Sequence, residues 1–189
     1  MKRFLIICCF IFFVVPSLMA QTTIKPGAGI NFTNVTGDGA DATGQAGWQV
    51  GASFAFGNKF YTEPGIFYQN SSFEYTTVDE GPVTDASYHG IRIPLALGLN
   101  ILGNSESSFG LRAFGGASSF IVTGTSSEFL DKDEISSPQW GVFAGVGLDI
   151  WIVYIDASYQ WSATNLQTDV TNIDLGNSRG LFLTAGLRF

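Results

Sequence analysis

Few residues in this chain could do chemistry. There is one histidine, His89, with Asp85, Ser87 and Tyr88 just before it. A histidine, a serine and a carboxylate are the parts of an acyl-transfer site, and a lipid-modifying enzyme of a membrane surface could use them. Alternation along the segment, however, puts His89 on the same face as Ile91. A lone histidine at a strand end reads as an interface residue, so no catalytic residue is assigned. Asp131, Asp133 and Glu134 form a loose carboxylate cluster. It lacks the glycine turn of a calcium loop and reads as a solvated acidic loop, with no metal site. The glycine-rich G-V-G-L-D at 145–149 opens no helix, so it supports no nucleotide or other cofactor site. What remains is a set of single charges embedded in apolar, alternating segments: Lys25, Glu63, Arg92, Arg112, Asp149, Asp156 and Arg188.

Those segments have the period of strands. In the final stretch, Leu181, Leu183, Ala185, Leu187 and Phe189 form one face, and Gly180, Phe182, Thr184, Gly186 and Arg188 the other. Phe182 is the exception on the small, polar face. Such a segment has the length of one tilted crossing of a bilayer, roughly 9–11 residues. Similar alternation recurs over about 22–33, 45–56, 59–75, 90–101, 107–123, 139–150 and 152–163. The clearest case sets Ile91, Ile93, Leu95, Leu97, Leu99 and Ile101 against Gly90, Arg92, Pro94, Ala96, Gly98 and Asn100. Pro94 implies a local ladder defect. In each segment the larger apolar set lies opposite the charges. Eight strands follow, antiparallel and joined up-and-down, with connections that alternate long and short. Tight turns are expected at Gly57-Asn58, at Gly103-Asn104-Ser105 and near Ile150-Trp151. The long connections are Asn34–Gly44, Thr76–Asp85, Gly124–Pro138 and Thr164–Ser178.

Composition narrows the class. Lys2 and Arg3, the apolar run 4–15, Pro16 and Ala20 read as a secretory signal peptide over 1–20. Its removal takes both cysteines, Cys8 and Cys9, so no disulfide is expected in the mature segment 21–189. That segment holds seven basic and sixteen acidic residues, a net charge near −9. Nucleic-acid binding, which needs basic patches, is disfavoured. No apolar run after residue 20 approaches the ~20 residues of a membrane helix. Yet only 13% of residues are charged, about half the usual soluble share. A closed barrel is the other way to span lipid with every backbone group paired. Carboxylates gather in the connections; Glu63, Asp149 and Asp156 alone lie in strand cores. Trp48, Tyr68, Trp140, Tyr159 and Trp161 fall near the outer ends, and Phe56, Phe60, Phe109, Trp151 and Phe189 near the inner ends. These fit two aromatic girdles.

The segments 24–37 (I-K-P-G-A-G-I-N-F-T-N-V-T-G), 88–99 (Y-H-G-I-R-I-P-L-A-L-G-L) and 154–161 (Y-I-D-A-S-Y-Q-W), with the last strand ending in Phe189, resemble the PorT-like group of small outer-membrane β-barrels of Bacteroidetes. The resemblance implies an eight-stranded barrel in the outer membrane of a Gram-negative bacterium. It also implies insertion by the outer-membrane assembly machinery, with no catalytic residues. Some members of that group are tied to secretion and gliding, and no residue here transfers that role. The interior of such a barrel is just wide enough for side chains, so the inward charges are expected to pair. The network would be centred on Arg92 and Arg112 with Glu63, Asp149 or Asp156. The expectation is a monomer with a plugged lumen, in contact with outer-membrane lipid, and with a structural or interaction role through its acidic outer loops toward a protein or glycan partner. The alternatives are a narrow pore for small solutes, a lipid-modifying enzyme and a soluble lipocalin-like carrier; the last needs an apolar lumen and a polar outside.

Overall fold

The computed structural model describes residues 22–37, 40–42, 46–75, 84–104, 107–125, 138–162 and 178–189. The expected signal peptide, 1–20, lies outside them. The elements are β1 (Thr22–Gly37), β2 (Ala40–Ala42), β3 (Ala46–Gly57), β4 (Phe60–Tyr75), β5 (Thr84–Leu102), β6 (Phe109–Thr125), β7 (Gln139–Ile150), β8 (Val153–Ser162) and β9 (Ser178–Leu187). All pairings are antiparallel between neighbours, and β1 also pairs β9. The sheet therefore closes on itself. Its closing seam runs from Gly27↔Gly186 to Val35↔Ser178. Beyond it, Ile24 and Phe189 exchange both backbone hydrogen bonds at 2.9 Å. Closure leaves no sheet edge along the eight long strands.

β2 is a ninth, three-residue strand that pairs only with β1, through Val35↔Ala42, Thr36↔Asp41 and Gly37↔Ala40. It falls inside the expected loop Asn34–Gly44, so β1 reaches further and folds back. Other expected boundaries also move outward. β5 begins at Thr84, which brings Asp85 opposite Glu74 in the ladder, and β6 continues through Thr125. The 150–151 turn shifts by one residue, to Trp151-Ile152. Trp151 holds φ 56° there, a left-handed conformation that costs a non-glycine residue roughly 1–2 kcal/mol. Its N–H donates to Ser108 O at 2.6 Å and its carbonyl accepts from Arg188 Nε at 2.8 Å. Pro94 acts as expected on one side: the β4–β5 register runs to Pro64↔Leu95 and resumes at Phe67↔Arg92. On the other side Pro94 keeps its place opposite Ser118.

Sidedness follows the alternation. Leu95, Leu97, Ile66 and Val146 face outward, 53–68% exposed, whereas Lys25, Arg92, Arg112 and Asp149 lie inside, at most 5% exposed. Phe67, Phe143, Tyr61 and Tyr154 share the interior with them. A lipocalin-like carrier would invert this order. The strand ends that flank the short connections, at 57/60, 102/109 and 150/153, lie at the end that also holds Thr22 and Phe189; those that flank the long connections lie at the other.

Candidate functional site in the barrel lumen

Six of the seven inward charges meet in the part of the barrel nearer the short turns. Arg112 on β6 is the hub. Its Nη2 lies 2.6 Å from Asp156 Oδ1, its Nε 3.0 Å from Asp149 Oδ2, and its Nη1 3.6 Å from Glu63 Oε2. Lys25 on β1 supplies a second bridge, 2.8 Å to Glu63 and 3.1 Å to Asp156. Arg188, just past β9, joins Asp149 at 3.4 Å. Ser53 donates to Glu63 at 2.6 Å. Five strands around the barrel are thus tied across its axis by charge, in an environment where unpaired charge costs several kcal/mol. Below the layer, Arg188 also donates to the carbonyl of Ser107 and Asn100 to that of Asn58, which ties the cluster to the tight turns.

Two tyrosines complete the layer. Arg112 Nη1 donates to Tyr61 Oη at 3.3 Å, and Lys25 Nζ lies 4.3 Å from the centre of the Tyr154 ring. Their rings occupy space that other inward positions leave empty. A Cβ on Gly98 would come 2.1 Å from Tyr61 Cζ, and one on Gly147 would come 2.2 Å from Asp156 Oδ1 and 2.8 Å from Arg112 Nη2. These two inward glycines are therefore part of the plug: each cedes its volume to a large neighbour. Two small cavities flank the layer. One, about 60 Å³, lies on the outer side and touches Arg92, Ser158 and Thr184; the other, about 30 Å³, lies on the inner side by Thr23 and Asn100.

Arg92 requires a correction. It was expected as a second centre of the network, but among the described residues its guanidinium meets no carboxylate. Its Nε and Nη2 donate to Gln160 Oε1 at 3.2 and 2.9 Å. Its Cζ lies 4.4 Å from the centre of the Phe182 ring and 5.4 Å from that of Phe143. Phe182, the apolar exception on the polar face of the last strand, is the wall against which Arg92 stacks. Nearer the outer end the lumen is lined by neutral polar groups. Gln49 donates to Thr184 at 2.7 Å, Gln69 to Ser71 at 3.0 Å, and Ser71 to Asn31 at 3.3 Å. The alternation in the sequence places Asn31, Gln49, Gln69 and Tyr154 inward but assigns none of them to the network, and it leaves Tyr61 out. For those four, the inward position was the only signal.

The aromatic residues lie on the outside. Trp48, Tyr68, Trp140, Tyr159 and Trp161 are exposed near the end with the long connections, and Phe60, Phe109, Trp151 and Phe189 near the other. Phe56 is half-buried beside the 57–59 turn. Trp48 and Tyr68 lie 5.6 Å apart, and Tyr159 and Trp161 4.9 Å. His89 is half-buried on β5 with its ring 6.0 Å from Tyr68, on the outward side of the wall. The side chains of Asp85, Ser87 and Tyr88, and the acidic group Asp131, Asp133 and Glu134, lie outside the described residues.

An apolar, aromatic-rimmed outside around a charged, filled inside defines an integral membrane barrel, one that crosses with strands. The profile of the outer membrane protein beta-barrel domain matches residues 5–189, and the chain belongs to that family. Its place is the outer membrane of a Gram-negative bacterium. No curated protein matches the chain. Among solved structures it resembles Ail, the attachment invasion locus protein of Yersinia pestis, in complex with the heparin analogue sucrose octasulfate. The TM-score is 0.52 at 17% identity, over 89% of this chain and 99% of that one. It also resembles the outer membrane protein OprG from Pseudomonas aeruginosa, with a TM-score of 0.53 at 14% identity, over 89% and 95%. Both are likenesses of fold.

Proposed function

We propose that this barrel is closed to solutes by its ion-pair layer and acts as a structural or interaction protein through its outer connections. The observation that carries the closure is the Arg112 hub, three carboxylates on one guanidinium between cavities of only about 60 and 30 Å³. Planar-bilayer recording tests it: the expected result is the absence of large, stable channels, and a steady large conductance sinks the proposal. A narrow pore is the second reading, favoured by the cavities on both sides of the layer. It requires the layer to open, and conductance that rises when Arg112 is replaced would mark the layer as a gate.

The interaction reading rests on charge. The connections 34–44, 76–85, 124–138 and 164–178 hold eleven carboxylates and one cation, Lys132. Ail was solved with a sulfated heparin analogue; an acidic rim like this one repels such a ligand and suits a partner with a basic surface. Pull-down with each connection shortened in turn should lose the partner; retention through all four deletions ends the idea. The reading includes export by residues 1–20, assembly through the last strand ending in Phe189, a PorT-like affiliation and no catalytic role for His89. Mass measurement of the mature protein should place its start at Gln21. Lipid A mass analysis should be unchanged in a deletion strain.

A further inference from the structure

We propose that the lumen on the outer side of the ion-pair layer is a binding site for a small monovalent anion, held by Arg92. This goes beyond the interaction role and does not depend on which partner meets the outer connections. Among the described residues, the charged side chains of the lumen are four cations, Lys25, Arg92, Arg112 and Arg188, against three carboxylates, Glu63, Asp149 and Asp156. All three carboxylates are engaged by Lys25, Arg112 and Arg188. The surplus positive charge is Arg92, 5% exposed and in a membrane-spanning strand. Arginine cannot shed its proton to escape burial.

The acceptors around Arg92 are overdrawn. Gln160 Oε1 has two lone pairs but meets three donors: Arg92 Nε, Arg92 Nη2 and Ser118 Oγ at 3.0 Å. No acceptor for Nη1 lies among the described residues. The aromatic rings of Phe182 and Phe143 favour the cation but cancel none of its charge. The adjoining cavity is lined by Arg92 itself and by the hydroxyls of Ser158 and Thr184. Thr184 Oγ1 already accepts from Gln49, so its proton is free to point elsewhere. At about 60 Å³ the space is several times the roughly 10–15 Å³ that one water needs. A halide ion fits it with a water; a sugar acid does not. Glu63 and Asp156 also border the cavity, but their charges are spent on Lys25 and Arg112. One small anion brings the lumen to neutrality and supplies the missing acceptor.

The test uses the mature barrel folded in detergent, unfolded by urea in sodium chloride or in sodium gluconate at equal ionic strength. Chloride should raise the unfolding midpoint of the wild type, and the rise should grow with chloride concentration as a ligand's does. The rise should be lost in Arg92→Gln. Should that variant fail to fold, wild-type crystals soaked in bromide should give an anomalous peak at the Arg92 guanidinium. Equal midpoints in the two salts, a chloride effect that survives in Arg92→Gln, or bromide absent from Arg92 would each overturn the proposal.

Discussion

Two arginines lie buried on adjacent strands of the same lumen and are held in opposite ways. Arg112 stands among three carboxylates, at 2.6, 3.0 and 3.6 Å. Arg92 stands among one amide oxygen and two phenyl rings. Both are inward, equally buried and equally charged, so burial alone does not say what an intramembrane arginine is for. The difference lies in what each would leave behind. Removing Arg112 strands carboxylates in a low-dielectric interior. Removing Arg92 strands no charged group among the described residues.

The largest effect that separates the two should come from Arg112→Met. With their hub gone, Glu63 and Asp156 share one cation, Lys25, and Asp149 keeps Arg188. A loss of about 3–5 kcal/mol is expected for breaking a buried network from one side, measured by urea unfolding in lipid vesicles. A loss no larger than that of Arg92→Met would erase the contrast. The next test turns the comparison inside out. Leu95→Arg puts a guanidinium on the lipid face, where about 2–4 kcal/mol is expected at the bilayer midplane; a neutral result in the same assay would mean that this face is not in hydrocarbon.

Smaller is the effect of filling the space beside the hub. In Gly98→Val the new Cβ lands on the Tyr61 ring, and overpacking should cost about 1–3 kcal/mol. The same assay on Gly115→Ala is the control, because there the nearest atom is a backbone oxygen at 3.2 Å and no ring stands in the way. Smallest is Arg92→Met. In chloride-free buffer it should change stability by about 1 kcal/mol or less, since a cation with no carboxylate partner is exchanged for apolar volume. A loss on the scale of Arg112→Met would show that Arg92 has a charged partner after all.

Much of this architecture is a local property of the chain. Strand alternation has period 2, so the inward or outward side of Ile93, Arg92, Val142 or Asp149 can be read from immediate neighbours. Turn residues place the short connections to within two residues, and Trp151 shows the limit. Nothing about a tryptophan announces a left-handed turn, which the closing strands impose. β2 was missed because three residues among Gly, Asp and Thr carry too short a pattern to register.

The partners inside the lumen belong to another level. Lys25 meets Glu63 at a separation of 38 residues and Asp156 at 131. Those meetings depend on the stagger and tilt with which eight strands close. One residue of shear would bring a different set of inward side chains to the same height. By itself the sequence determined which residues face lipid, which face the axis and how many strands carry them, because those follow from backbone period and local chemistry. Only the closed barrel decided that Arg112 should gather the carboxylates of the described residues and Arg92 should meet an amide instead, because pairing across an axis is set by the register of strands far apart in the chain.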